Sequence, residues 1–197
     1  MEVVNDMGIG WNLGNTLDAI NWGITGDNGL ESETSWGNPE TTEKMFEALA
    51  KKGIKTVRIP VTWRNHLVDK RYTINPQWMK RVKTVVDWAL KYGLYVILNM
   101  HHDNANLVEH ESINYGQGYY PSLKDIQQSE KFIYNVWRQI ATAFNNGYDH
   151  HLIFEGLNEP RMAGHKYEWN YNHLDADCRI AANVLNEYMR LIVDRKS

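Results

Sequence analysis

The chain alternates four times between an apolar, β-branched run and a segment whose apolar residues recur at helical spacing. The apolar runs predict strands at residues 7–15, 54–61, 94–100 and 152–157. The periodic segments predict one helix from Asn38-Pro39 to Gly53 and a second from Asn75-Pro76 to Gly93. Two further helices are predicted at residues 128–145 and 175–194. Strands that are apolar along their whole length and alternate with helices are typical of a parallel α/β sheet with both faces covered.

Polar residues gather where the predicted strands end, and this separates two α/β architectures. The residues concerned are Asn15, Arg58, His101, His102, Asn158 and Glu159. An open doubly wound sheet places its site at one switch point, whereas a (β/α)8 TIM barrel collects polar residues from every strand end, so we favour the barrel. Four units occupy 197 residues. Eight would need about 390, so we expect residues 1–197 to be the N-terminal half-barrel, the first four βα units.

The composition excludes several classes of function. The net charge of -3 argues against a nucleic-acid partner, and no apolar run is long enough to cross a membrane. The single cysteine, Cys178, allows no disulfide within the chain, and no secretory signal precedes the first strand.

The 8 tryptophans and 11 tyrosines, many of them in polar, loop-like stretches, suit a sugar-binding cleft, although packing better explains each Trp within a helix.

The fourth predicted strand delivers an Asn-Glu-Pro sequence at its carboxyl end. Alternation places Glu155, Leu157 and Glu159 on one face, with Glu159 at the mouth of the sheet and Glu155 deeper. A glutamate in a cleft can act as a general acid when burial or a second carboxylate raises its pKa. A capping or salt-bridging role at the strand end is equally compatible with the residues alone.

Five short motifs follow one another along nearly the whole chain. They are Gly-Trp-Asn-Leu-Gly-Asn-Thr-Leu-Asp-Ala at residues 10–19, Glu-Thr-Ser-Trp-Gly-Asn-Pro at 33–39, Val-Arg-Ile-Pro-Val at 57–61, Leu-Asn-Met-His-His at 98–102 and Asn-Glu-Pro at 158–160. In this order they resemble the bacterial endoglucanases of glycoside hydrolase family 5. The resemblance implies a (β/α)8 barrel and a retaining mechanism through a covalent glycosyl intermediate. It also favours cellulose-like β-1,4-glucan as the substrate.

The resemblance implies a role for three residues at the strand ends. Glu159 would be the general acid/base that protonates the glycosidic oxygen and later deprotonates the attacking water. Asn158 would hydrogen-bond the 2-hydroxyl of the sugar. Arg58 would lie beneath the site and keep the nucleophile ionised by charge pairing. Glu155 is expected in a buried polar network.

The same resemblance places four more residues along the cleft. His101 would line its floor with His102 beside it, and Trp36 and Asn15 would contact the sugar. The sequence His101-His102-Asp103 also raises the question of a metal, but adjacent residues of a strand point to opposite faces, so we expect no metal and no cofactor. We expect Trp78, Trp88 and Trp137 to pack in the core. His150 and His151 precede the fourth strand and are expected at the end of the barrel that carries structure rather than catalysis. Trp22, Tyr119 and Tyr120 are given no role.

The family's nucleophile, a glutamate on the seventh strand, has no matching motif in residues 1–197. Retaining hydrolysis needs two carboxylates about 5–5.5 Å apart, so we expect this chain alone to be inactive or nearly so. Its open sheet edges need a partner, either the missing C-terminal half-barrel or a second copy in a homodimer. The alternatives are a non-catalytic half-barrel or folding fragment that self-associates, and the same chemistry on mannan, mixed-linkage glucan or xyloglucan. We expect the parent enzyme to be secreted.

Overall fold

The computed structural model describes residues 2–24, 26–105, 118–165 and 168. Helix α1 (Glu2–Asp6) precedes strand β1 (Gly10–Asn12), and three helix–strand pairs follow. They are α2 (Glu43–Lys51) with β2 (Thr56–Ile59), α3 (Pro76–Lys91) with β3 (Tyr95–Asn99), and α4 (Ile126–Phe144) with β4 (Leu152–Glu155). Short 3-10 helices lie in the connections at Leu30–Thr34, Arg64–His66 and Leu123–Asp125.

The four strands form one parallel sheet in the order β1-β2-β3-β4. At their carboxyl ends Asn12 lies opposite Arg58, and Asn99 lies opposite Glu155. A doubly wound sheet reverses its strand order at a switch point, and the described strands contain no reversal. The α/β prediction is confirmed, and the sequential order is that of a (β/α)8 barrel of which four units make half.

Each strand is shorter than the apolar run that predicted it. Strand β1 covers three residues of the predicted 7–15, and β4 ends at Glu155 rather than at residue 157. Beyond the strands, backbone groups bond outside the ladder. The Val61 N–H donates to the side-chain Oδ1 of Asn99 at 3.2 Å, and the Asn158 N–H donates to the carbonyl of Met100 at 2.9 Å. The residues just beyond the end of each strand are therefore held by contacts other than the hydrogen bonds between strands.

The start predicted for α2 is wrong. The helix begins at Glu43, with Thr42 in an extended conformation as its N-cap, and not at Asn38-Pro39. The Asn38 side chain does not cap a helix. Its Nδ2 donates instead to the carbonyls of Gly14 and Asn15 at 3.1 and 3.0 Å. Asn38 thus ties the first loop to the end of β1, a contact that local sequence does not reveal.

The same Asn-Pro pair does begin α3, as predicted. Asn75 is the N-cap, and its side chain accepts a hydrogen bond from the N–H of Gln77 at 2.8 Å. The helix ends at Lys91, and Gly93 just beyond it has a φ of 72°, a left-handed conformation that favours glycine. Helix α4 begins at Ile126 and ends at Phe144, close to the predicted bounds.

The hydrophobic core forms where the sheet packs against α3 and α4. Its fully buried members include Val57, Val96, Leu98, Val82, Val86, Phe132, Val136 and Ile140. Trp78 and Trp137 are also fully buried, and Trp88 packs against this core, which confirms packing for all three. The indole of Trp137 donates to the carbonyl of Gly156 at 3.2 Å, so the core also fixes the chain that leaves β4.

Within the described ranges, no helix has the length and apolar character that a membrane crossing needs. The helix predicted at residues 175–194 and Cys178 lie outside the described residues.

Candidate active site

A cleft of about 400 Å³ lies at the carboxyl end of the sheet. It is lined by Trp22, Trp36, Arg64, His101, His102, Asn104, Asn158, Glu159, Arg161, Ala163, Gly164 and Glu168. Five of the residues singled out from the sequence therefore meet at one place, whereas Arg58 and Asn15 are not part of this lining. A wider hollow of about 680 Å³ borders residues 146–149 before β4, at the end where barrels carry structure rather than catalysis.

Glu159 lies beyond the strand that delivers it. Because β4 ends at Glu155, the alternation that was expected to continue through Leu157 to Glu159 does not apply. Leu157 is buried in the core, whereas Glu159 has an exposed side chain and a positive φ of 40°. A non-glycine residue in this conformation is uncommon, and such strain collects at functional sites.

Arg58 is the central donor beneath the cleft. Its Nε and Nη2 bind the carboxylate of Glu155 at 2.7 and 2.6 Å, and Nη2 also donates to Asn158 Oδ1 at 2.9 Å. Its Nη1 donates to Asn12 Oδ1 at 3.2 Å. In this chain Arg58 thus pairs with Glu155, so Glu155 does sit in a polar network, as expected, and is about one-third exposed.

The electrostatics of this network favour an ionised Glu155. Burial raises the pKa of Glu155, but the hydrogen bonds from Arg58 and Asn99 and the charge of Arg58 outweigh burial and lower it below 4.5. Burial, followed by the neighbouring His102, lowers the pKa of His101 to about 4. A carboxylate and a neutral imidazole therefore lie on either side of Asn99 at neutral pH.

His101 and His102 do not point apart, contrary to expectation. Strand β3 ends at Asn99, so strand alternation does not govern them, and their ring centroids are 4.4 Å apart. Both Nε2 atoms face Asp18 Oδ2, at 3.9 Å from His101 and 3.7 Å from His102. These three side chains, and not Asp103, form a group whose candidate ligand atoms lie within 4.8 Å of one another.

Asp18 is buried and held firmly in this group. Its Oδ1 accepts the N–H of Thr16 at 3.0 Å, and the Thr62 hydroxyl donates to its carbonyl at 2.9 Å. Burial raises the pKa of Asp18, but the interactions with His102, the Thr16 N–H and His101 together lower it by more, so the net pKa shift is downward. At 3.7 Å the contact between His102 Nε2 and Asp18 Oδ2 is too long for a hydrogen bond.

Two tryptophans form the aromatic side of the cleft. Trp36 donates its indole N–H to the carbonyl of Ile20 at 2.8 Å, and its ring lies 5.6 Å from that of His102. Trp22, unassigned from the sequence, is 69% exposed and borders the same cleft. Asn15 is exposed at a φ of 60°. Tyr119 and Tyr120 are buried, and the Tyr119 hydroxyl donates to the carbonyl of Asn158 at 3.3 Å.

Asp18 and Asn99 were not predicted as site residues, although the sequence around each carries a signal. Asp18 is a single carboxylate within the apolar run Leu17–Ile20, and Asn99 is an amide at the end of an apolar strand. A polar side chain in such a setting must find partners when it is buried. Which partners it finds depends on the neighbouring strands and loops.

The family model for cellulases, glycosyl hydrolase family 5, matches residues 21–195. Endoglucanase B of Ruminococcus albus is 42% identical over 195 residues, which are 98% of this chain and 41% of that protein. Endoglucanase B of Neocallimastix patriciarum is 43% identical over 172 residues, or 86% of this chain and 33% of that protein.

Solved structures give the same result. The catalytic domain of CelCCA has a TM-score of 0.87 and 42% identity, and the match covers 100% of this chain and 50% of that one. A glycoside hydrolase 5 lichenase from Caldicellulosiruptor sp. F32, in complex with cellotetraose, has a TM-score of 0.87 and 40% identity with the same coverage. The chain thus spans half or less of the length of each of these proteins. It belongs to the cellulase family, glycosyl hydrolase family 5.

Proposed function

We propose that this chain is the acid/base-bearing half of a retaining endo-β-1,4-glucanase that hydrolyses cellulose-like β-glucans. The observation that carries the proposal is Glu159 on the wall of a cleft that also presents Trp22 and Trp36. Glycoside hydrolysis requires a carboxyl group beside the scissile bond, and amphipathic aromatic rings suit the faces of sugars. The endoglucanases among the relatives support the same reaction.

In the proposed reaction Glu159 acts twice. It first protonates the glycosidic oxygen as the bond to the leaving group breaks, and it then removes a proton from the water that releases the product. Its exposed side chain and positive φ support this role, because they take the carboxyl group out of the strand and place it on the cleft.

Asn158 would orient the sugar through its amide nitrogen. Arg58 carries only donors, so the atom of Asn158 that lies 2.9 Å from Arg58 Nη2 must be the acceptor Oδ1. The Nδ2 of Asn158 is then the donor that this amide can offer to the 2-hydroxyl of the sugar. Because the Asn158 N–H is bonded to the carbonyl of Met100, backbone and side chain are both fixed before substrate arrives.

Neither of the other two glutamates that the structure describes around the site is available as the second carboxylate. Glu155 is bound by Arg58 and Asn99. Glu168 borders the cleft but is paired with Arg161 and accepts the N–H of Gly164 at 2.7 Å. We therefore propose that a C-terminal half-barrel supplies the nucleophile and covers the free edges of β1 and β4, as the half-length matches to the solved structures suggest. A second copy of this chain is the alternative partner.

The substrate could also be a related glucan. One matching structure is a lichenase with cellotetraose, and another is a xyloglucan-specific endo-β-1,4-glucanase with cellotriose. Both ligands are chains of glucosyl units, which favours β-glucans over mannan. Cellulose-like β-1,4-glucan is the first choice, with mixed-linkage glucan and xyloglucan as the second.

The test joins this chain to the C-terminal half-barrel of endoglucanase B from Ruminococcus albus and assays both proteins on carboxymethyl cellulose, lichenan, xyloglucan and mannan. We expect no hydrolysis by the chain alone and hydrolysis of β-glucans by the joined protein. Glu159→Gln should abolish that activity, whereas Glu168→Gln, the matched control in the same cleft, should retain most of it. A folded joined protein without activity would overturn the proposal, and an active chain alone would overturn the claim that it lacks a nucleophile.

A further inference from the structure

Asn99 connects the ion pair beneath the cleft to an imidazole on its wall. It is the last residue of β3 and is fully buried. Its Oδ1 accepts the N–H of Val61 at 3.2 Å, and its Nδ2 lies 3.2 Å from Glu155 Oε1 and 3.1 Å from His101 Nδ1. The Trp63 indole donates to the Asn99 carbonyl at 3.0 Å, so the backbone is held as well.

The orientation of the Asn99 amide follows from two of these neighbours. The Val61 N–H can only donate, so it requires the amide oxygen. Glu155, kept ionised by Arg58, can only accept, so it requires the amide nitrogen. The reversed amide would place two donors together at Val61 and two acceptors together at Glu155. Both contacts would be repulsive, and the Asn99 side chain is fully buried, so water cannot take their place.

We propose that Asn99 is a positioning residue that fixes the tautomer of His101, with the proton on Nε2. The second N–H of the Asn99 amide points to His101 Nδ1, so Nδ1 must be an acceptor and carries no proton in the neutral ring. His101, whose ring borders the cleft, then presents an N–H, and not a lone pair, toward Asp18.

This tautomer determines what His101 can do. An Nε2–H can donate to a sugar oxygen, but it can neither accept a proton nor coordinate a cation through that nitrogen. The donor role toward a sugar rests on the proposed glucanase function, whereas the position of the proton does not. The same tautomer would weaken transition-metal binding by Asp18, His101 and His102 despite their spacing, since a ligating nitrogen must be unprotonated.

Nitrogen-15 NMR of the imidazoles tests the proposal without substrate or activity. Protonated and unprotonated ring nitrogens have well-separated shifts, and His101→Gln identifies the His101 signals by their loss. At neutral pH we expect the protonated shift at Nε2 and the unprotonated shift at Nδ1. A proton on Nδ1 in the unsubstituted chain would overturn the proposal, whatever the outcome of the activity assays.

Two variants at Asn99 test whether this residue is the cause. Asn99→Asp removes the donor to Nδ1, so the His101 proton should move to Nδ1 or the ring should bind a second proton. Asn99→Ala removes both groups and should give a mixture of tautomers. Asn12→Asp adds a carboxylate beside Arg58 without touching His101, and should leave the His101 signals in place. An unchanged tautomer in both Asn99 variants would show that another group sets it.

Discussion

Arg58 holds Glu155 with two parallel hydrogen bonds, from Nε to Oε2 at 2.7 Å and from Nη2 to Oε1 at 2.6 Å. The pair reaches from β2 to β4 across the intervening strand, and the same Nη2 orients the amide of Asn158. A single bidentate contact therefore links sheet stability to the residue that precedes Glu159.

Glu155→Gln should destabilise the fold by about 1–2 kcal/mol, because it keeps the shape but loses a charge-assisted bond. The folded-state pKa of Glu155 is lowered from 4.5, so this stabilisation is present above pH 4.5 and is lost as pH falls through the lowered pKa. Urea unfolding of both proteins between pH 3 and 7 measures the difference, which should shrink at the acid end. The control is Glu47→Gln, which breaks an exposed pair with Lys51. An equal loss in the control would contradict the prediction.

Arg81→Met should loosen the loop that carries Trp36. Arg81 on α3 binds the buried Glu33 through Nε and Nη2 at 2.8 and 2.9 Å, and donates to the carbonyl of Thr41 at 2.7 Å. Removing the cation leaves a buried carboxylate unpaired, which costs about 3 kcal/mol. Thermal unfolding should show the loss, and limited proteolysis should show earlier cleavage near Trp36. Arg71→Met, at a surface pair with Asp69, is the control and should unfold like the parent chain.

His101→Gln should make the protein less sensitive to acid. Burial and His102 lower the folded-state pKa of His101 from 6.5 to about 4, so only the unfolded chain takes up this proton in that range. Stability is therefore complete above pH 6.5 and falls as pH drops toward 4, by up to about 1.4 kcal/mol per pH unit. Unfolding midpoints measured across this range should fall less steeply in the variant. An equal flattening in His150→Gln, at an exposed position, would refute the assignment to His101.

Asn99→Asp should create a zinc site that the parent chain lacks. If the His101 proton moves to Nδ1, the Nε2 lone pair of His101 joins His102 and Asp18 as a third ligand atom. Asp18 Oδ2 lies 3.9 Å from His101 Nε2 and 3.7 Å from His102 Nε2. Competition with a chromophoric chelator should then detect zinc binding that His102→Gln removes. His150→Gln in every chain eliminates the second cluster, formed with Asp149 and His151. Equal zinc affinity with and without Asn99→Asp would contradict the prediction.

The main elements could be predicted because they depend on local periodicity and turn chemistry. The Asn75 cap and the apolar stripes of α3 and α4 depend on residues only a few positions apart in the sequence. The strand order follows from the alternation of strands and helices. The start of α2 was mispredicted because the Asn38 amide binds carbonyls at the end of β1 rather than capping a helix.

The sequence by itself determined the four strands and the three helices between them, the Asn-Glu-Pro motif beyond β4, and five of the polar and aromatic residues that meet in one cleft. Only the tertiary structure decided that Arg58 pairs with Glu155, 97 positions away, and that Asp18 lies beside two imidazoles. The physical reason is strand register. Hydrogen-bond partners at the carboxyl end of a parallel sheet are set by where each ladder stops, and the residues of one strand do not encode where its neighbours stop.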